Sequence, residues 1–536
     1  MKSRENGRLA PGQAAFANTA AMLHVFGLAR HAAGRLAVFA VFLLVLAMRL
    51  PHLGDSPFGY DSWRQSDTEA MARNFAEHRF NIFYPQLNYQ GPMPNYAQLE
   101  LQVTTWTIAV LYRLFGYHYE LARIVPIGFF IGSALFVYKI AMLRASRRTA
   151  CLAVLLYGLF PLNVLYSRAI MPESAALFFY TGAYYWFSLW IVKEERRLLL
   201  TAALFTALAI GVKVPAVFVG VPMAVMAYAK YGSGFLRKVE LWLFALLSLA
   251  PPAVYYAWLG TVAESDFVSG IAVKHIFPKM AAAWAAPEAM AFFARELPKA
   301  FTWTGLALVL VGAVAVIRRK QWAEAAWAFA VLAEWAMIVA VIRFNYYLIF
   351  AGPVMALFAA AALAAGEAVS GRNRFSQRDL AAHSRTPAFQ PVGRFAARLA
   401  PIKRKAAPCL VALTIGICAC ESYFSVKPLY AFQDRELIAQ AELVQRLTAP
   451  DDLIVTGLDD PSLLNASRRA GWRVTNSIPG DPVGELFYFI SQGAAYFVPM
   501  KGYIDGDPEG KLKKLLDERF PKLGEENGYY LYKLKP

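Results

Sequence analysis

Apolar runs recur along the chain from residue 36 to residue 424, separated by short polar segments. Beyond that point the pattern changes to short alternating helix-like and strand-like stretches. The runs Leu36–Leu50, Arg123–Leu143, Thr149–Tyr166, Ser174–Val192, Leu198–Gly211, Val214–Ala229, Val239–Leu259, Phe301–Ile317, Ala325–Val341, Tyr346–Ala365 and Ala407–Phe424 predict eleven membrane-spanning helices. Several are shorter than the roughly 20 residues needed to cross about 30 Å of hydrocarbon. After Phe424, Asp434–Leu447 has a helical period, DDLIVTGL predicts a buried strand, and PSLLNASRRAGWRV predicts a helix followed by a strand. AAYFVPM and GYYLYKL predict two more strands with the helix GKLKKLLDERF between them, which makes a small α/β domain.

The expected architecture is therefore mostly α: a polytopic membrane domain over 36–425, a small α/β domain over 426–536, and a cytoplasmic N-terminal tail over 1–35. Basic clusters set the orientation. Arg144, Arg147 and Arg148; Lys193, Arg196 and Arg197; Arg237 and Lys238; Arg318, Arg319 and Lys320; and the block Arg372–Lys405 within the loop 366–406 all fall on one side when the eleven spans alternate. The positive-inside rule makes that side the cytoplasm, and the last block lies near anionic lipid. The first loop (51–122), Lys213, Arg343 and the C-terminal domain then lie outside. Leu101–Tyr117 would reverse every later basic loop if it crossed. Gln102, Thr104, Thr105, Thr107 and Arg113 interrupt it, so an amphipathic helix at the outer surface is expected.

Composition agrees with a membrane protein: 58% of the 536 residues are hydrophobic and only 17% are charged. A net charge of +17 would suit nucleic acid, but the basic residues sit between apolar runs, where topology accounts for them. No nucleic-acid role is expected. Cys151, Cys409, Cys418 and Cys420 all lie in apolar runs and lack zinc-site spacing.

Chemistry concentrates in Phe58–Phe75, FGYDSWRQSDTEAMARNF, where Asp61, Arg64, Asp67 and Glu69 follow the first apolar run. The outer side also receives Glu100, Arg168, Glu173, Lys213 and Arg343. Carboxylates beside fixed cations suit removal of a hydroxyl proton opposite an anionic leaving group, and a lipid-linked phosphate is the natural anion at that depth. Glu100, Glu173 and His275 have the ligand chemistry of a divalent metal site for Mn, Mg or Zn, with no cofactor required by the sequence.

The order RQSDTEAMARNF, YPQLNYQGP, LYSRAIMPES, GVKVPA and RFNYYLIFAGP resembles the GT-C superfamily of membrane glycosyltransferases over roughly residues 36 to 480. The likeness is to bacterial relatives of protein O-mannosyltransferases and lipid A aminoarabinose transferases. It implies inverting transfer of a sugar from a polyprenyl-phosphate donor to a hydroxyl of a glycan, lipid or protein acceptor, on the outer face of a bacterial cytoplasmic (inner) membrane. On that resemblance Asp67 matches the catalytic base, with Asp61 the reserve. Arg64, Lys213, Arg343, Tyr346 and Arg168 match the donor-phosphate contacts, and Glu69, Glu100 and Glu173 match an acceptor or second acidic site. A lipid transporter or flippase, and a non-catalytic GT-C-like assembly subunit, are the competing classes.

Overall fold

A computed structural model describes residues 32–263, 267–364, 400–474 and 481–535. The N-terminal tail up to residue 31 and the basic loop from 365 to 399 lie outside the described residues. Every apolar run coincides with a helical segment. Seven helices are long and apolar enough to cross a membrane: Tyr119–Arg144, Glu173–Lys193, Val214–Arg237, Val239–Val262, Trp322–Ile342, Asn345–Leu363 and Pro408–Tyr430. The pair Pro287–Phe301 and Trp303–Arg318, bent by 95°, makes an eighth if it counts as one span. The other three runs form shorter helices. Ala32–Ala47 is short, Arg147–Leu159 stops where Pro161 starts a new helix, and Arg196–Val212 has 17 residues. At 1.5 Å per residue, 17 residues reach only about 26 Å.

Two helices of the first loop carry the region of interest. Helix α1 (Ser62–Glu77) is buried from Gln65 to Ala76 even though seven of those twelve side chains are polar. Each polar group therefore has to be answered by a neighbour. Glu69 takes hydrogen bonds from Arg73 Nε at 2.8 Å and from the Tyr112 hydroxyl at 2.9 Å, and Asn74 donates to Gln86 O and Asn88 Oδ1. Helix α2 (Val103–Phe115) is the stretch expected at the outer surface. Its 13 residues, about 20 Å, are too few to cross, and it lies against α1, with Arg113 donating to Ala76 O at 3.0 Å.

The C-terminal residues form a sheet of six strands in the order β1-β3-β2-β4-β6-β5. Strands β2 (Ile454–Thr456), β3 (Gly471–Arg473), β4 (Tyr496–Val498) and β6 (Tyr529–Lys533) fall on the predicted stretches, whereas β5 (Lys522–Glu526) and the helix Pro482–Ser491 were not expected. Strand β2 runs parallel to β3 and β4, and β6 closes the other side antiparallel to β4 and β5. The edge strand β1 (Gln90–Gly91) comes from the first loop and pairs antiparallel with β3, Gln90 opposite Trp472 and Gly91 opposite Gly471.

One apolar core joins the two regions: Phe58, Met71, Leu87, Tyr89 and Leu99 pack with Leu437, Val444, Ile454, Leu463, Leu464 and Leu531. Gly59 forms a bridge to Gln433, and a Cβ at Gly59 would stand 2.2 Å from Phe432 O, so only glycine fits there. A shared sheet puts the first loop and the C-terminal residues on one side of the membrane. An even number of crossings must therefore separate residue 91 from residue 454. The eleven runs expected from the sequence would place ten there; among the described residues, the helices long enough to cross place seven there, or eight if the bent pair is one span.

Candidate active site

The site is built around the first residue of the charged stretch. Asp61 caps α1 in the left-handed conformation, φ 50° and ψ 46°, which is costly for a side chain other than glycine and recurs at functional positions. This turn aims its carboxylate away from the helix and toward the membrane domain. There Asp61 Oδ2 accepts a hydrogen bond from the Tyr166 hydroxyl, which also meets Asn345 Oδ1 at 2.7 Å and the Tyr60 hydroxyl. Asn345 Nδ2 returns to Tyr60 at 3.0 Å, so two residues from distant parts of the chain, Tyr166 and Asn345, join Asp61 and its neighbour Tyr60. Burial raises its carboxyl above the ordinary carboxylate value, opposed by the Tyr166 hydrogen bond. A base with a raised value takes up a proton more readily near neutral pH.

Arg64 lies one turn further along α1 and meets Glu100 Oε1 at 3.4 Å, both side chains retaining some exposure. Beyond it stands Lys213, 2% exposed, where the helix Arg196–Val212 breaks into a 3-10 turn. Lys213 Nζ makes an ion pair with Glu173 and lies 4.7 Å from the ring centre of Tyr346 and 4.6 Å from that of Tyr347. Glu173 is fully buried at the start of Glu173–Lys193, and its second oxygen, Oε2, has no hydrogen-bond partner among the described residues. Tyr346 packs edge-on against Tyr166, 6.1 Å between ring centres. Asp61, Arg64, Glu100, Glu173, Lys213 and Tyr346 thus form one neighbourhood of two cations, three carboxylates and an aromatic lining.

The remaining residues singled out in the sequence are placed elsewhere. Asp67 points to the C-terminal domain and is 3% exposed, its Oδ2 accepting from Tyr89 at 3.1 Å and its Oδ1 from Asn465 at 2.8 Å. Both oxygens therefore accept from side chains of the first loop and the C-terminal domain. Glu69 is fixed to Arg73 and Tyr112 between α1 and α2. Arg168 spends its guanidinium on His52 O and Tyr430 O, with its Cζ 4.2 Å from the Tyr430 ring centre. Arg343 is exposed at a left-handed helix end. Glu100 and Glu173 each face a cation and His275 is exposed, so these three do not converge on a metal. Among the described residues no group of three or more His, Cys, Asp or Glu is placed to hold one.

The pH response of the Asp67 contact follows from its environment. Burial pushes the carboxyl up to about 6, against the pull of Asn465, Arg64 and Tyr89, while Asp460 adds to the rise. Because the folded value lies above the ordinary 3.8, the contribution of Asp67 to docking is complete below about pH 4 and is lost as pH rises through about 6. A displacement of this size is worth on the order of 2–3 kcal/mol. Hydrogen exchange of residues 462–467, corrected for intrinsic rates, is expected to be better protected at pH 5 than at pH 7.5. Asp67→Asn is expected to flatten that difference, and a difference that persists in the variant assigns it to another group.

Comparison with known proteins bears on the fold. The dolichyl-phosphate-mannose-protein mannosyltransferase family model matches residues 102–258. Search of curated proteins by sequence finds no match. Among solved structures, ArnT from Cupriavidus metallidurans bound to undecaprenyl phosphate superposes with a TM-score of 0.58 at 12% identity, covering 94% of this chain and 98% of that one. The fold is that of the GT-C glycosyltransferases. The archaeal oligosaccharyltransferase AglB from Archaeoglobus fulgidus, in complex with an inhibitory peptide and a dolichol-phosphate, agrees with a TM-score of 0.56 at 12% identity over 94% of this chain and 74% of its own. Within this GT-C fold the match to the family model runs from the start of α2 into the helix Val239–Val262, as far as residue 258, so it contains Glu173 and Lys213 but not Asp61.

Tyr60, Tyr166 and Asn345 are the site residues that sequence reasoning missed. Two of them sit inside the quoted segments LYSRAIMPES and RFNYYLIFAGP, beside the arginines that drew attention. Uncharged tyrosine and asparagine in aromatic-rich runs carry no signal of their own.

Proposed function

We propose that the chain is a membrane glycosyltransferase that moves a sugar from a polyprenyl-phosphate donor to an acceptor hydroxyl. Asp61 acts as the base. The observation that carries this reading is the Asp61 carboxylate standing at the head of α1 beside Arg64, with Lys213 and Tyr346 behind it in a GT-C fold. Support for a polyprenyl-phosphate carrier comes from the two neighbours above, whose structures hold undecaprenyl phosphate and dolichol-phosphate.

In the reaction, Asp61 takes the proton from the acceptor hydroxyl as that oxygen forms a bond to the anomeric carbon. The bond from that carbon to the phosphate oxygen breaks, and its electron pair leaves on the lipid phosphate. Direct displacement at one face inverts the anomeric centre. Arg64 and Lys213 supply the positive charge that meets the leaving phosphate, each exchanging part of its present carboxylate contact for the anion. Among the described residues Asp61 has no ion pair, its Oδ2 accepting instead from the Tyr166 hydroxyl, so its carboxylate is available to the acceptor proton. The loop that carries Asp61 shares a sheet with the C-terminal residues, and the basic-loop rule assigns that side to the extracytoplasmic face of a bacterial inner membrane.

The test is release of free polyprenyl phosphate by the purified full chain from a polyprenyl-phosphate-sugar fraction of bacterial membranes, with and without an acceptor extract. Release that depends on the acceptor extract is the expected result. No release from any donor fraction, in a protein that still binds undecaprenyl phosphate, contradicts the assignment.

A further inference from the structure

The helix that presents Asp61 and Arg64 is held from behind by the C-terminal domain through a set of contacts the reaction does not use. Asn465 Nδ2 donates to Asp67 Oδ1 at 2.8 Å and to Ser66 Oγ at 3.0 Å, and Ser66 Oγ also reaches Ser462 Oγ at 3.4 Å. Tyr89 completes the Asp67 contact from the first loop, immediately before β1 enters the sheet. Arg473 on β3 lies with its Cζ 5.0 Å from the Trp63 ring centre and 4.9 Å from that of Tyr89. Trp63, Ser66 and Asp67 surround Arg64 in sequence and follow Asp61 by two to six residues. Asn465, 4% exposed, and Asp67 are both withdrawn from solvent, so this is an interior junction.

Packing alone does not explain why this junction is polar. An apolar pair would dock a helix onto a sheet domain as firmly, whereas a buried carboxylate with two directed donors fixes rotation and register about the helix axis. Rotation of α1 is the coordinate that matters for its first turn, because Asp61 and Arg64 must point into the membrane domain at once. We propose that Asn465 and Asp67 form a latch through which the C-terminal domain sets the rotation of α1, making both of them positioning residues for Asp61. The proposal rests on the assignment of Asp61 as the base. It gives the C-terminal domain a part in turnover, with no contact to the reacting atoms.

The latch predicts a reversible exchange of partners. In Asn465→Asp two carboxylates face each other in a buried space, and the junction opens. Adding Asp67→Asn to that variant restores one donor and one acceptor across the gap: the new amide nitrogen donates to the residue-465 carboxylate, and its carbonyl accepts from Tyr89. Turnover is measured with the membrane-derived donor fraction, binding with undecaprenyl phosphate alone, and protection by hydrogen exchange over residues 59–68, all in the full chain. Asn465→Asp is expected to lower kcat by about 10- to 100-fold, to change undecaprenyl phosphate affinity by less than about threefold, and to raise exchange at 59–68; the double variant is expected to return all three to within about threefold of the starting protein. Asn465→Leu, which removes the donors without adding charge, is expected to fall between the two.

A kcat loss that the double variant fails to restore overturns the latch, as does wild-type turnover in both Asn465→Asp and Asn465→Leu. Exchange protection separates the two levels of the argument. If Asp61→Asn turns over normally while Asn465→Asp still loosens 59–68 reversibly, the base assignment fails and the mechanical coupling stands.

Discussion

Asp61→Asn is expected to lower sugar transfer by about 10²- to 10⁴-fold, the usual contribution of a general base, while leaving undecaprenyl phosphate binding within about threefold of wild type. The reason lies in what the carboxylate touches. Its Oδ2 accepts from the Tyr166 hydroxyl, so an amide at this position keeps its shape and accepts the same hydrogen bond through its carbonyl. Only the basic oxygen is lost. Arg64 and Lys213 keep their carboxylate partners, so donor binding has no reason to change. A variant that loses binding and turnover together would instead place Asp61 among the groups that hold the donor. Tyr166→Phe, which removes the orienting hydroxyl and leaves the base, serves as the internal check and should fall well short of the Asp61→Asn loss.

The second large effect is expected at Lys213. Lys213→Met removes the cation from a pair in which Glu173 is fully buried and has one oxygen without a partner among the described residues. Breaking a buried pair by deleting one member costs about 3–5 kcal/mol, because an uncompensated charge stays behind. Lys213→Met should therefore lose thermal stability as well as activity. Adding Glu173→Gln removes the stranded charge and should recover most of the stability. Turnover should stay down by about 10²- to 10³-fold in the double variant if the ammonium serves the leaving phosphate. Recovery of turnover along with stability would confine Lys213 to a structural role. Thermal unfolding in detergent and donor turnover, measured on the same preparations, decide between these outcomes.

The membrane part of the fold was legible because apolar runs leave little choice: each one became helix. Their number as spans was not, since Arg147–Leu159 and Arg196–Val212 are apolar enough to be noticed and too short to cross unaided. The C-terminal strands were legible from short β-branched and aromatic runs. Strand β1 was hidden because two residues inside NYQGP carry no strand signature and pair with a partner some 380 positions away.

The charged stretch 58–75 lies where Asp61 and Arg64 come near Lys213, Glu173 and Tyr346, the neighbourhood in which the reaction is proposed. The roles within it were not readable from spacing. Asp61 and Asp67 are six residues apart, which at 100° per residue turns them about 120° from each other around the helix. They serve opposite sides, one the membrane domain and the other the C-terminal domain, and a sequence alone does not say which side holds the substrate. Arg168 and Glu69 look alike in sequence to catalytic groups and are consumed by packing, as the carbonyls of His52 and Tyr430 and the hydroxyl of Tyr112 make plain.

The placement of the reaction at the head of α1 is tested most directly by comparing Asp61→Asn with Asp67→Asn in one donor-release assay. Asp67→Asn keeps its contacts, its carbonyl accepting from Asn465 and its amide nitrogen donating to the Tyr89 oxygen, so turnover should stay within about threefold of wild type. Asp61→Asn should lose at least about 100-fold. The reverse ranking, with Asp67→Asn inactive and Asp61→Asn turning over normally, would contradict the placement of the reaction at the head of α1.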